Sequence, residues 1–297
     1  VGIGAVTGNS NNDYFVFELK DDGTYKITGL TAKYISGKYL TIPSTYNGKP
    51  VTEIGSSAFY RCKTLMSVTI PASVTQIGSS AFAHCTYLKE VNFAVNSTLT
   101  SLGSYAFERC ESLESLNIPS GITTLSGSVF SCCYRMTTIY IPASVTRIYE
   151  QYGRLFYGCN SLTNIVVDQD NSSYLSIDGN LYSKDGKTLY KYAGGKNESV
   201  FAIPSGVEVI YEYAFEYSKN LTKVVIPESV TTIEERAFDS CINLTEIIIP
   251  ASVTTIGRYA FDYCNNLTIN CVLDTQPSGW DEKWCGNCIS IFWGYNE

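Results

Sequence analysis

The sequence predicts a β-rich solenoid, one continuous domain made of short stacked coils. Three observations predict it. A phenylalanine recurs at intervals of 23 to 26 residues with one gap of 59, the residues around it recur in the same register, and each unit is too short to bury its own apolar side chains. Stacking the coils would place equivalent residues above one another in a single core.

The repeating unit has a phenylalanine, a cysteine three residues later and a leucine three residues after that, as in Phe261, Cys264 and Leu267. Ser218 replaces the cysteine in one copy. A segment of the form Ile-Pro-x-x-Val-x-x-Ile completes the unit. Eight copies in one register indicate a true repeat, and their phenylalanines are Phe59, Phe82, Phe107, Phe130, Phe156, Phe215, Phe238 and Phe261.

Each unit predicts the same local elements. Residues 244–249 alternate around Ile247 and Ile249 and stop at a proline, which indicates a short strand paired in parallel with its copies in the neighbouring coils. Residues 253–256 predict a second extended stretch. Residues 259–265 are expected to form a brief helical turn, too short to be stable as an isolated helix.

Residues 244–264 carry the pattern L-x-x-I-x-I-P-x-S-V-T-x-I-G-x-x-A-F-x-x-C. This pattern resembles the BspA-like leucine-rich repeats of bacterial and protist surface proteins, and the resemblance extends over roughly residues 40–293. It implies a right-handed leucine-rich-repeat coil with a parallel β-sheet on its concave side. It also implies a secreted or surface-anchored protein, in some members an adhesin, and it brings no family-wide catalytic residue.

Five segments of one solenoid domain are expected from the departures from the repeat. Residues 1–38 would form an N-terminal β cap, with a hairpin turning at Asp22-Gly23, and residues 39–167 the first repeats. Residues 168–200, with turn signals at Asp178-Gly179 and Asp185-Gly186, would form a β-hairpin island that bulges from the solenoid. Residues 201–270 would be further repeats, and residues 271–297, with three tryptophans, the C-terminal cap.

Composition and charge narrow the range of functions that the chain can have. The net charge is −7 and no run of Lys or Arg is present, which argues against a nucleic-acid partner. No stretch approaches the roughly 18 apolar residues that a membrane-spanning helix needs, so no membrane insertion is expected. Charged residues make up only 16%, and 23 tyrosines are present. This balance favours an extracellular or cell-surface location.

No catalytic, cofactor-binding or metal-ligating residue is predicted. His84 is the only histidine and occupies a slot that holds Arg61 or Arg109 in other copies, so we expect it to face solvent. Residues 185–188 look like the end of a phosphate-binding loop, but Leu181 replaces the glycine such a loop needs. Asp168-x-Asp170 resembles the opening of a calcium loop that lacks its glycine and its final glutamate.

The 11 cysteines fall into two groups. Seven occupy the repeat position and are expected to point inward as free thiols that behave as small apolar side chains. Cys132, Cys271, Cys285 and Cys288 lie outside that series. For Cys285 and Cys288 three alternatives stay open: a local disulfide, free thiols, or half of a zinc site completed by other cysteines.

The candidate binding face is the row of strand residues that point away from the core. We call it the outer lane: Thr41, Thr69, Asn92, Asn117, Tyr140, Val166, Ala202, Val225 and Ile248. Its last five members, Tyr140, Val166, Ala202, Val225 and Ile248, are apolar and would form a strip across five strands.

This apolar strip predicts a non-catalytic, adhesin-like module that presents its concave sheet to a protein or glycan ligand, or to a second copy of the chain. The alternative is a passive spacer that positions other surface domains. An enzyme is a distant third interpretation, which a deep pocket with perturbed carboxylates would favour.

Overall fold

The computed structural model describes residues 11–32, 37–149, 155–287 and 290–296. One 3₁₀ helix, Asn11–Tyr14, precedes the strands. In chain order the strands are β1 Phe15–Leu19, β2 Tyr25–Leu30, β3 Tyr39–Thr41, β4 Thr45–Tyr46, β5 Lys49–Ile54, β6 Ser67–Ile70, β7 Gln76–Ile77, β8 Glu90–Phe93, β9 Ser101–Leu102, β10 Ser115–Asn117, β11 Thr124–Ser126, β12 Thr138–Ile141, β13 Arg147–Tyr149, β14 Asn164–Val167, β15 Tyr174–Ile177, β16 Asn180–Ser183, β17 Thr188–Lys191, β18 Val200–Ala202, β19 Val209–Ile210, β20 Lys223–Val225, β21 Thr232–Ile233, β22 Glu246–Ile249, β23 Thr255–Ile256, β24 Thr268–Cys271 and β25 Ser290–Trp293.

The protein is a β-solenoid whose successive coils pair in parallel, as predicted. One side, which we call the strand face, consists of three sheets in the orders β3-β6-β8, β10-β12-β14 and β18-β20-β22-β24-β25. Shorter strands form a second side, with β5-β7-β9, β11-β13 and β17-β19-β21-β23. Alternate residues of the strand face are buried because successive side chains of a strand point to opposite sides.

The third side of each coil, the turn face, is not helical, so the expected helical turn at residues 259–265 is wrong. Two residues four positions apart have positive φ in most coils, for example Tyr259 and Tyr263 at 57° and 56°. Left-handed residues at that spacing cannot belong to an α-helix. Each coil instead makes tight turns, in which the Cys62 amide donates to the Phe59 carbonyl at 3.1 Å.

The turn face is also hydrogen-bonded from coil to coil. The amide of Phe59 donates to the carbonyl of Ala81 at 2.8 Å, and the amide of Arg61 donates to Ala83 at 2.9 Å. Every second amide of the turn therefore bonds to the next coil, while the amides between them close turns within their own coil. This alternation satisfies the backbone polar groups of a buried, irregular segment.

The recurrent phenylalanines form a stack that we call the Phe ladder. Phe82 and Phe107 lie 5.4 Å apart between ring centroids with planes 9° from parallel, and both are fully buried. Six of the cysteines beside the ladder donate a thiol to the phenylalanine carbonyl of the preceding coil; for example, Cys110 Sγ lies 3.3 Å from Phe82 O. The same bond is made by Cys85, Cys133, Cys159, Cys241 and Cys264.

Five of those cysteines are buried free thiols in the predicted inward position, and a sixth, Cys159, is nearly as buried. Cys62 departs from the prediction because it is only half-buried. Ser218, which replaces the cysteine in one copy, is fully buried and its hydroxyl has no hydrogen-bond partner.

Asparagine side chains add a further coil-to-coil ladder. The side-chain amide of Asn243 donates to the Lys219 carbonyl at 2.7 Å, and Asn266 donates likewise to Ile242 at 3.1 Å. Both residues open Asn-Leu-Thr sequences that match the glycosylation sequon. The side-chain amides of both asparagines form hydrogen bonds within the fold. The structure alone therefore accounts for the Asn-Leu-Thr sequences.

The island at residues 168–200 does not bulge from the solenoid as expected. Strands β15 and β16 form an antiparallel hairpin that turns at Asp178-Gly179, and β17 pairs with β16 on one edge and in parallel with β19 on the other. Tyr192 is buried, its ring stacks on Phe215 at 5.2 Å, and its amide donates to the Ala214 carbonyl. The island therefore contributes a coil, with Tyr192 in the Phe ladder position.

Both ends of the described chain extend the stack. At the N-terminal end, β1 pairs with β2 in a hairpin, and β2 runs parallel to β5. At the C-terminal end, Trp284 packs edge-on against Phe261 at 5.8 Å, and the indole N–H of Trp280 donates to the Val253 carbonyl at 3.1 Å. Two buried tryptophans thus cover the last phenylalanine of the ladder.

We predict that Phe107→Ala lowers the free energy of unfolding by about 3–5 kcal/mol, because it leaves a cavity between two stacked rings. The matched control is Tyr87→Ala, which removes an aromatic ring that is 59% exposed and should change stability by less than about 1 kcal/mol. Urea unfolding monitored by circular dichroism measures both. Equal effects of the two substitutions would contradict the ladder.

Candidate binding face

The strand pairing places the outer lane in the register that the sequence predicts. Thr41 pairs with Thr69, Asn117 with Tyr140, and Ala202 with Val225. The lane also continues beyond Ile248, which pairs with Asn270 and through it with Phe292. Sequence reasoning missed Phe292 because no repeat consensus marks the strand that carries it.

The N-terminal half of the lane is polar, and its sheet is interrupted. No strand pairing joins β8 to β10, although both strands lie in a fully described segment. Val91 and Phe93 of β8, at positions that are buried in most other strands, are only half-buried. The longer segment between Phe82 and Phe107 accounts for the interruption, since it inserts a loop with the fully exposed Val95.

The apolar strip does not cross five consecutive strands as predicted. Val166 lies on β14 and Ala202 on β18, which belong to different sheets. Between them runs the island, where the Gly179 carbonyl accepts the amide of Ile165 at 2.8 Å. Lys196 donates to the Asp178 carbonyl and lies 3.9 Å from Glu198. A charged divider therefore separates Tyr140 and Val166 from the rest of the strip.

Tyr140 is further constrained by its own hydrogen bond. Its hydroxyl donates to a carboxylate oxygen of Asp168, and this bond raises the pKa of Tyr140 and lowers that of Asp168. Asp168 also accepts the amide of Asp170 at 2.9 Å. Asp168 and Asp170 thus shape a turn at the end of β14, and Tyr140 and Val166 are only half-buried beside it.

Several exposed apolar side chains lie on the strand face after the divider. Val200, Val225 and Phe292 are 53%, 44% and 57% exposed. Together with Ala202 and Ile248 they form what we call the C-terminal apolar patch. A groove beside the patch is lined by Ile226, Pro227, Ile248, Pro250, Val272 and Tyr295, with Lys223 and Glu228 at its rim. The patch and groove give an apolar surface with a charged border, an arrangement typical of protein contacts.

A scan against protein-family models matched the BspA type leucine-rich repeat region, in six copies over residues 38–185 and 189–290. The chain belongs to this family. No curated protein sequence matches the chain at a significant level.

Solved structures of leucine-rich repeat proteins have the same fold as this BspA-type chain. A protein from Eubacterium ventriosum is 28% identical with a TM-score of 0.69, over 94% of this chain and 76% of that one. A leucine-rich cell surface protein from Faecalibacterium prausnitzii is also 28% identical, with a TM-score of 0.52 over 96% and 94% of the two chains. The pneumococcal vaccine antigen PcpA is 22% identical, with a TM-score of 0.65 over 94% and 83%.

The sequence elements that suggested other chemistry have structural roles in this BspA-type fold. His84 is half-buried, adopts a positive φ of 61° and packs edge-on against Tyr60. Asp185 accepts the amide of Lys187 within the tight turn of its hairpin. Among the described residues, no group of three or more His, Cys, Asp or Glu could hold a metal ion. In the same part of the chain, no helix has the length and apolarity needed to cross a membrane.

The cysteines outside the ladder separate into two states. Cys132 and Cys271 are buried free thiols, whereas Cys285 is disulfide-bonded. Cys288, its expected partner, lies outside the described residues. A disulfide at Cys285 argues against the zinc alternative, because a zinc ligand must be a thiolate.

Among the described residues, the carboxyl group with the most strongly raised pKa lies on the turn face. Burial, together with the nearby charges of Glu235 and Glu234, raises the pKa of Glu212 to about 7. Burial also raises the pKa of Glu234, whose carboxylate accepts the Glu212 amide at 3.1 Å. Burial and, after it, the crowding of glutamates on adjacent coils explain the raised pKa of Glu212, which for this reason does not by itself indicate a general acid.

We predict that Glu212→Gln raises the melting temperature by roughly 1–3 °C at pH 8 and leaves it unchanged near pH 4. The native pKa of Glu212 lies above its ordinary value of 4.5, so the folded state disfavours the ionised form. Wild-type stability is therefore lost as the pH rises from about 4.5 through about 7, and glutamine removes this loss.

Thermal unfolding at both pH values tests this, with the exposed Glu228→Gln as the control. A variant whose melting temperature follows that of the wild type at pH 8 would contradict the raised pKa of Glu212.

Proposed function

We propose that this chain is a non-catalytic, adhesin-like binding module of a cell-surface or secreted protein, and that its C-terminal apolar patch contacts a protein ligand. The single observation that carries the proposal is the exposure of Val200 and Val225 on the neighbouring strands β18 and β20, with the exposed Phe292 on the edge strand β25 of the same sheet. Exposed valine and phenylalanine side chains are costly to hydrate, and contiguous apolar surface of this kind marks contact sites.

Charge distribution favours a protein over a glycan at this patch. The groove floor is apolar, and its charged residues Lys223 and Glu228 stand at the rim, where they fix orientation more than they add affinity. Tyr140, Val166 and the polar residues of the lane lie beyond the divider and would serve as a separate, weaker contact area. A protein ligand or a second copy of this chain can bury the patch, whereas a glycan has little apolar surface with which to cover it.

The similarity to named surface proteins supports the location. One similar structure is titled a leucine-rich cell surface protein and another a pneumococcal vaccine antigen. Those descriptions belong to those proteins. For this chain they support display outside the cytoplasm, together with its low content of charged residues, 16%.

We predict that the double variant Val225→Glu with Phe292→Glu weakens ligand binding by at least about tenfold, because each charge must be desolvated at the centre of the contact. Both side chains are exposed, so the melting temperature should stay within a few degrees of wild type. The measurement is binding to arrays of purified extracellular proteins and glycans, followed by titration of each hit, with sedimentation analysis for self-association.

The matched control is Ile242→Glu with Tyr263→Glu. These side chains are 47% and 53% exposed, close to the 44% and 57% of the tested pair, but they lie on the turn face. Equal binding by both double variants would overturn the assignment of the patch. Absence of any binding or self-association by the wild type would favour the passive spacer.

A further inference from the structure

Two departures from the repeat meet on the strand face at the end of β14. Two residues after the outer-lane position the repeat has a proline, as in Pro119, Pro142 and Pro227, but the coil of β14 has Asp168 there. On the adjacent strand β12, Tyr140 is the only aromatic residue of the outer lane between Thr41 and Ile248. The hydroxyl of Tyr140 donates to the carboxylate of Asp168. The two non-consensus side chains are therefore in direct contact.

The turn that begins at Asp168 does not require a carboxylate. The carbonyl of Asp168 accepts the amide of Asn171 at 3.0 Å, and the carbonyl of Pro142 accepts the amide of Val145 in the same way at 3.2 Å. Ala94 stands at the equivalent position after β8, and its carbonyl accepts the amide three residues later at 2.9 Å. The amides of Ala94 and Asp168 also donate alike to the preceding coil, at 3.0 and 2.9 Å. Because proline and alanine make this turn elsewhere, the fold alone does not account for an aspartate.

A cavity of about 620 Å³ lies beside this pair, at the ends of β10, β12 and β14. Tyr140 gives it an aromatic wall, Asp168 gives it hydrogen-bond acceptors, and the exposed Asn117 gives it an amide that can both donate and accept. Ser120 and Ser144 add hydroxyl groups to the lining. Among the described residues that line the cavity, Asp168 is the one that carries a charge. The lining therefore combines one apolar ring with several polar groups that are mostly neutral.

The carboxylate of Asp168 is held ready to accept further hydrogen bonds. One of its oxygens accepts the hydroxyl of Tyr140, and the other accepts the amide of Asp170 at 2.9 Å. The bond from Tyr140 lowers the pKa of Asp168, so the group is ionised at neutral pH and acts only as an acceptor. A carboxylate has about four lone-pair sites, and two donors leave the others open to a ligand. Since both existing bonds fix the group, a ligand would bind it without the entropic cost of ordering it.

We propose that this cavity binds one ring of a neutral saccharide. A pyranose ring has an apolar face of C–H groups and a border of hydroxyl groups that donate and accept. The C–H face would pack on the ring of Tyr140, neighbouring hydroxyls would donate to Asp168, and Asn117 would bond a further hydroxyl. The charge of Asp168 would repel an anionic ligand. This site is separate from the C-terminal apolar patch, and the proposal does not depend on what that patch binds.

The test is saturation-transfer NMR of the folded protein with five neutral oligosaccharides: lactose, maltotriose, cellotriose, mannobiose and chitotriose. We expect at least one of them to respond, with the strongest transfer to the C–H protons on one face of one ring, because Tyr140 would contact that face. Titration then gives the affinity of each oligosaccharide that responds. Tyr140→Ala and Asp168→Ala should each weaken this affinity by about tenfold or more, because each removes a principal contact.

The matched control is Tyr134→Ala, which removes a tyrosine of the turn face that is 37% exposed and should leave the affinity unchanged. Asp168→Ala introduces the residue type that the chain already has at Ala94, so it decides the question if Tyr140→Ala does not fold. Absence of a response from all five oligosaccharides would overturn the proposal. An affinity that Asp168→Ala leaves at the wild-type value would overturn it as well, because the saccharide would then bind elsewhere.

Discussion

The hydrogen bonds that join each turn to the next coil are the constraint on which this protein depends. They require residues such as Arg109 and Tyr217 to adopt positive φ, which costs a non-glycine residue about 1 kcal/mol or more. The cost is offset only when a neighbouring coil accepts the amides and when the phenylalanine between them is buried. A single coil would not keep this conformation, so local structure and stacking are formed together.

The cysteines of the ladder follow from the same constraint. The phenylalanine carbonyl accepts an amide of its own coil and can also accept a second donor from the next coil, in an apolar, crowded space. A thiol is small, weakly polar and able to donate, so it satisfies the carbonyl at low desolvation cost. Burial raises the pKa of Cys110 and Cys133, which keeps these thiols protonated and able to donate. Cys62 occupies the same repeat position but is only half-buried.

The stacked core also leaves the outer lane free to vary. Its side chains point away from the ladder, and their register is fixed by backbone pairing whatever their identity. This separation allows one half of the strand face to be polar and the other apolar without a change of fold. The island divides the apolar half, because it supplies the core with Tyr192 while placing charged residues such as Lys196 on the strand face.

The sequence predicts the repeat, the parallel strands, the inward ladder and the register of the outer lane, because burial repeats with the spacing of the phenylalanines. It does not predict the non-helical turn, since residues such as Tyr259 have no intrinsic preference for positive φ and adopt it only through the next coil. It also misplaces the island. A usable signal was present: Tyr192 lies 23 residues before Phe215, and Trp284 lies 23 residues after Phe261. Tyr192 and Trp284 both continue the Phe ladder, with tyrosine and tryptophan in place of phenylalanine.

Native-state hydrogen exchange of the backbone amides tests the coil-to-coil ladder most directly. The account predicts that the amides of Phe82 and Phe238, which donate to Ala106 and Ala260 of the next coils at 2.8 and 2.7 Å, exchange only with unfolding of their region of the stack. Exchange of these two amides as fast as that of the unpaired amides of exposed loops would contradict it.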